Sequence, residues 1–293
     1  MNDWMQNIPD SFMICDINLP GTHDSCSKKV QFSYFSKCQC MSIFEQLNIG
    51  VRFIDVRVEK TGNRLKTVHG IADCYKPGER KNNLMLEDVI ADCKAFLKAN
   101  PTESVFFCLK RDDGGSSEDA FEAFFDNYLQ NDDFWYTENR VPSMGEVRGK
   151  IVLLNRCCAE AENEKYTDFN CGINLSGWPD LPKSAEKTVA VVPIPRRNGK
   201  STEAYLLQDM YKLSPKKKWA KAVKPLLENP PEAKGFFFNF LTAADFIHSP
   251  KKYAKYINKR YLKTDLSALT KYGWLIFDFP TEKMCRKIIL TNF

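Results

Sequence analysis

Short runs of consecutive apolar residues alternate along this chain with stretches whose apolar residues recur every three or four positions. The runs, over 12–15, 51–57, 65–69, 104–110, 150–156, 172–175, 235–240 and 273–278, read as strands. The helical spacings fall between them. Leu86, Val89, Ile90, Cys93, Phe96 and Leu97 share one face of a helix that Asn100-Pro101 ends. A shorter helix is predicted over 120–129, and another over 219–227, stopped by Asn229-Pro230-Pro231. Leu19-Pro20-Gly21 reads as a turn.

Strands alternating with helices predict a parallel sheet. About eight of them within 293 residues, with no linker, predict an α/β chain folded as one distorted TIM (β/α)8-type barrel over 1–293. No GxGxxG follows any strand, which speaks against a dinucleotide-binding sheet. The polar positions sharpen the picture. His23, Arg57, His69, Lys110, Arg156 and Asp278 each fall at or just past the end of an apolar run. In a barrel those ends converge on one face, where catalytic side chains gather.

Composition narrows the function. The net charge of +5 is too low and too dispersed for a nucleic-acid binder, yet it suits an anionic substrate or surface. Lys216, Lys217 and Lys218 form the densest basic run and read as a solvated helix start. The eleven cysteines are scattered, without zinc-type spacing, and read as mostly reduced thiols. No window reaches 18 apolar residues, and residues 1–14 lack the pattern of a signal peptide. The expectation is a cytoplasmic protein, or one exported without a conventional signal.

Only three histidines are present. His248 reads as a surface residue, whereas His23 and His69 lie in polar, glycine-containing turns. Two imidazoles can hold a base and an acid at once near neutral pH. A guanidinium such as Arg57 can fork onto two phosphate oxygens. Together these groups fit a ribonuclease-like scheme, in which an internal hydroxyl attacks phosphorus between a proton acceptor and a proton donor.

The blocks Leu19-Pro20-Gly21-Thr22-His23-Asp24-Ser25, Gln46 to Arg57 and Val68-His69-Gly70 resemble, in order and spacing, the X-box of phosphatidylinositol-specific phospholipases C. Asn100-Pro101-Thr102-Glu103-Ser104 and Leu109-Lys110 extend the resemblance. Trp178-Pro179-Asp180, Gln208 to Tyr211 and Leu275 to Asp278 resemble the bacterial single-domain, metal-independent branch. The resemblance implies cleavage of phosphatidylinositol to diacylglycerol and inositol 1,2-cyclic phosphate. It implies His23 as general base oriented by Asp278, His69 as general acid assisted by Asp24, and Arg57 on the phosphate. It further implies Lys110, Arg156, Asp209 and Tyr211 around inositol. Arg57 stands where the calcium-dependent branch needs room for a cation, so no metal or other cofactor is expected. Contact with phosphatidylinositol membranes is expected through Phe32, Tyr34, Phe35 and Phe246, with no nucleic acid and no obligate protein partner. The competing readings are a GPI-anchor phospholipase C, a glycerophosphodiester phosphodiesterase and a non-catalytic phosphoinositide-binding relative.

Overall fold

The computed structural model describes residues 1–78, 81–130, 132–157, 165–181, 188–197, 202–245 and 247–293. Among them run strands β1 (Leu19–Thr22), β2 (Phe53–Thr61), β3 (Arg64–His69), β4 (Ala72–Asp73), β5 (Val105–Arg111), β6 (Trp135–Tyr136), β7 (Ile151–Asn155), β8 (Ile173–Asn174), β9 (Ala190–Pro193), β10 (Ala204–Gln208), β11 (Phe237–Phe240) and β12 (Trp274–Phe277). Their order in the sheet is β6–β7–β5–β2–β1–β12–β11–β10–β9. The pairings from β7 through β5, β2, β1, β12 and β11 to β10 are all parallel. β6 and β8 share one edge of β7, and β9 adds to β10 in antiparallel sense. The result is a distorted α/β barrel with no strand pairing across its seam among the described residues. Asn139 spans that seam instead, accepting from Asn174 N–H and donating to the Pro195 carbonyl, both at 2.8 Å.

The barrel interior is aromatic. Phe53, Phe106, Phe236, Phe238 and Trp274 are fully buried, with ring centroids 4.5–5.9 Å apart in successive contacts. Below it Arg52 and Glu103, both fully buried, close on each other with Nη2–Oε2 at 2.5 Å and Nε–Oε2 at 2.8 Å. Glu103 Oε1 also accepts the Met5 N–H, so the pair ties the N-terminal segment under the barrel.

Three sequence expectations change. Residues 12–15 form no strand; Ile14–Asp16 make a 3-10 turn with Phe12 and Met13 left exposed. The first strand is Leu19–Thr22, the segment read as a turn. Pro20 is tolerated because β1 pairs with β12 along its length but with β2 only from Gly21 onward. Gly21 lets β2 approach, since a Cβ there would lie 2.7 Å from a Phe53 ring carbon. Lys218 is not solvated at all: its side chain is completely buried. The helices Pro250–Tyr261 and Glu282–Ile289 were not read from the sequence because their apolar positions are interleaved with lysines, and strands β9 and β10 because they are only 4 and 5 residues long.

Candidate active site

The carboxyl ends of the parallel strands surround a cleft of about 480 Å3. His23 follows β1, Arg57 lies in β2, Lys110 near the end of β5, Arg156 just past β7, Asp209 just past β10 and Asp278 just past β12. His69 arrives differently. It ends β3, a strand folded back on β2 beyond the barrel wall. Of the nine residues expected at the site, His23, Arg57, His69, Lys110, Arg156, Asp209, Tyr211 and Asp278 line this cleft, and Asp24 lies buried beneath it.

Asp24 is the hub. Its Oδ2 is 3.1 Å from Nε2 of both His23 and His69, and its Oδ1 is 3.0 Å from Arg57 Nε. The backbone is bent to put it there: φ at Asp24 is +42°, in the left-handed region that costs a non-glycine residue about 1–3 kcal/mol. Ser27 donates its hydroxyl and its N–H to the Asp24 carbonyl, at 2.6 and 3.0 Å. Asp55 Oδ2 accepts the Asp24 N–H at 3.1 Å. Two contacts within the turn and one from β2 therefore hold the strained residue.

Each imidazole has a second partner that fixes its ring. Asp278 Oδ1 sits 3.0 Å from His23 Nδ1. The Ser36 carbonyl sits 2.8 Å from His69 Nδ1. A carbonyl can only accept, so His69 carries a proton on Nδ1 and turns Nε2 toward Asp24. Burial, and then the charge of Arg57, lowers the His23 pKa well below its ordinary value. Burial, and then Asp24, holds Asp278 well above its own. Both shifts run toward the uncharged form of each group, as burial dictates. Burial raises Asp24 to about 6, although Arg57 and His69 pull it down.

Arg57 is held by three carboxylates. Beside Asp24 it meets Asp55 (Nε–Oδ2 3.1 Å) and Asp112 (Nη1–Oδ2 3.1 Å). These charges raise the guanidinium well above its ordinary range against the opposing effect of burial. Asp112 also accepts from Lys110 Nζ at 2.5 Å and from Gly70 N–H at 3.0 Å. It therefore joins Arg57 and Lys110 to the His69 turn. Arg57 and Lys110 overcome the cost of burial and depress the Asp112 carboxyl.

The opposite wall is flatter. The Arg156 guanidinium lies 4.1 Å from the Trp178 ring centroid, and Trp178 Nε1 approaches Asp209 Oδ2 at 3.3 Å. Tyr211 donates its hydroxyl to Asp180 Oδ1 at 2.8 Å, and its own pKa rises to about 12 through burial and that bond. Sequence reasoning did not assign Asp55, Asp112, Trp178 or Asp180 to the site. Asp55 and Asp112 could have been found from strand alternation: each lies two residues from an assigned cation, on the same side of its strand or its extension.

Residues 17–157 match the family described as phosphatidylinositol-specific phospholipase C, X domain. Among curated proteins, a 1-phosphatidylinositol phosphodiesterase of Listeria monocytogenes is 26% identical over 308 residues, covering 99% of this chain and 84% of that one. The enzyme of the same name from Staphylococcus aureus strain Newman is 29% identical over 297 residues, covering 94% and 88%. Among solved structures, a variant of Staphylococcus aureus phosphatidylinositol-specific phospholipase C superposes with a TM-score of 0.79 at 28% identity, covering 100% of this chain and 98% of that one. The Listeria monocytogenes phospholipase shares the fold, with a TM-score of 0.69 at 23% identity, covering 100% and 98%.

Proposed function

Because this chain belongs to the phosphatidylinositol-specific phospholipase C X-domain family, we propose that it cleaves phosphatidylinositol to diacylglycerol and inositol 1,2-cyclic phosphate. The observation that carries the reading is the arrangement of two imidazoles and one guanidinium around Asp24. His23, uncharged at neutral pH, accepts the proton of the inositol 2-hydroxyl as its oxygen attacks phosphorus. His69 returns a proton from Nε2 to the departing diacylglycerol oxygen. Arg57 meets the charge that builds on the phosphoryl oxygens, and its three carboxylate partners keep it fixed while the reaction proceeds. Lys110, Arg156, Asp209 and Tyr211 hold the inositol hydroxyls and ring.

The reaction is proposed to need no metal. His23, Asp24 and Cys38 do bring one donor atom each within 4.8 Å of one another. Burial, however, raises the Cys38 thiol well above its ordinary pKa, so it stays protonated and is a poor ligand. Arg57, 3.0–3.1 Å from Asp24, Asp55 and Asp112, would repel a divalent ion placed among those carboxylates.

The membrane contact is proposed at the cleft mouth. Phe32, Tyr34 and Phe35 are each more than half exposed and lie beside Lys28 and Lys29 in the chain. Phe246, also expected there, lies outside the described residues.

The test is turnover of phosphatidylinositol vesicles by the native chain and by His23→Ala, His69→Ala and Arg57→Lys, each with and without chelator. Each substitution should lower turnover by about 10² to 10⁴, and chelator should change nothing. Turnover that survives loss of either histidine refutes the mechanism; turnover restored only by calcium refutes the metal-free reading.

A further inference from the structure

Lys218 has no part in the reaction just described, yet it is a lysine with no solvent exposure. It closes the short helix Pro215–Lys218, just before the π-helical turn Trp219–Val223. Its Nζ donates to Gln208 Oε1 at 2.7 Å and to the Met210 carbonyl at 2.9 Å. Gln208 Oε1 also accepts the Met210 N–H at 3.0 Å. The Gln208 amide in turn donates to Asn239 Oδ1 and to the Phe240 carbonyl, both at 2.8 Å. Lys218 thus gathers the ends of β10 and β11, and the residue it brackets on both sides is Asp209. Asp209 faces the cleft and meets Trp178, whose ring carries Arg156.

A buried ammonium is expensive to keep, and a core position next to Ala222 and Val223 would tolerate an apolar side chain at lower cost. Its retention here is matched by what it holds: the Gln208 side-chain oxygen and the Met210 carbonyl, one on each side of Asp209 in the chain. Burial pushes Lys218 down to about 7, against the pull of Asp209 and Asp278. Either protonation state keeps the two N–H donors that the geometry uses.

We propose that Lys218 is a positioning residue for the inositol wall, acting on the substrate headgroup only through Asp209. The proposal rests on the reading of the cleft as an inositol phosphate site. Its test compares native protein, Lys218→Met, Lys218→Gln, Asp209→Asn and the double variant Lys218→Met/Asp209→Asn. Two quantities are read: the Kd for myo-inositol 1-phosphate by NMR titration, and KM and kcat on phosphatidylinositol in mixed micelles. Lys218→Met should raise Kd and KM about tenfold, with kcat changed less than about threefold. The double variant should bind no more weakly than the worse single one, because both changes remove the same contact. Lys218→Gln keeps a shorter amide donor without the charge and is read in the same way should the Met variant fail to fold. Unchanged Kd in a folded variant overturns the proposal, as does a double variant whose loss is the product of the single losses. Lack of turnover by a native chain that still binds the phosphate refutes the catalytic reading alone, and the Kd series then decides on Lys218.

Discussion

Replacing Asp24 by Asn should make the protein more stable at neutral pH while disabling it. The folded carboxyl titrates near 6, against an ordinary 3.8, and burial is the leading cause. A group whose affinity for protons is raised by folding favours the folded state when protonated and costs stability once it ionises. Stability tied to Asp24 should therefore fall as pH rises from about 4 through about 6, and stay low above that. Two pKa units at 1.36 kcal/mol each give about 3 kcal/mol. At about 2.1 cal/mol/K per residue, 293 residues unfold with an entropy near 0.6 kcal/mol/K, so the change corresponds to about 5 °C in Tm. Asn has the shape of the neutral acid and escapes the cost. It cannot offer both imidazoles a shared anionic oxygen, nor balance the Arg57 charge. Turnover should drop by about 10² to 10⁴. Thermal melts of native and Asp24→Asn protein between pH 4.5 and 8 measure the first effect, and vesicle turnover measures the second. The reasoning fails if the Tm difference does not grow across that range, or if turnover stays within tenfold of native.

Two further outcomes test regions away from the chemistry. Glu103→Gln keeps an acceptor for the Met5 N–H but leaves Arg52 buried without its counter-charge, and should cost about 3–5 kcal/mol in urea unfolding; a loss under 1 kcal/mol would contradict it. Phe32→Ala/Tyr34→Ala/Phe35→Ala should weaken sedimentation with phosphatidylinositol vesicles while leaving turnover of a short-chain, monomeric substrate unchanged; equal sedimentation would move the membrane contact elsewhere.

The parts of the fold legible in the sequence are those where burial is two-sided. β5 and β7 are paired on both edges, and their unbroken, buried apolar runs left one reading. β1 was misread because Pro20-Gly21 carries the local signature of a turn, and only the close approach of Phe53 explains a glycine inside a strand. β9 and the helix Pro250–Tyr261 were illegible because one face of each is open to water. For such elements the pattern is diluted by whatever polar residues the surface accepts.

The site divides along a similar line. His23, Arg57, His69 and Asp278 could be proposed from sequence because each is a reactive type at or just past the end of an apolar run. Lys218 could not, and Asp112 offered only its alternation with Lys110, because their chemistry lies in a partner remote in the chain or hidden from view. Asp112 matters through Arg57 and the Gly70 N–H, contacts made across 55 and 42 positions. Lys218 follows Lys216 and Lys217, which are exposed, and nothing in its local sequence sets it apart from them. Residues that touch substrate thus announce themselves by type, whereas residues that hold them in place are recognised by what they bond to. The Lys218–Gln208–Asn239 chain is of the second kind, and its three members come from three separate segments, two of them joined by the pairing of β10 with β11.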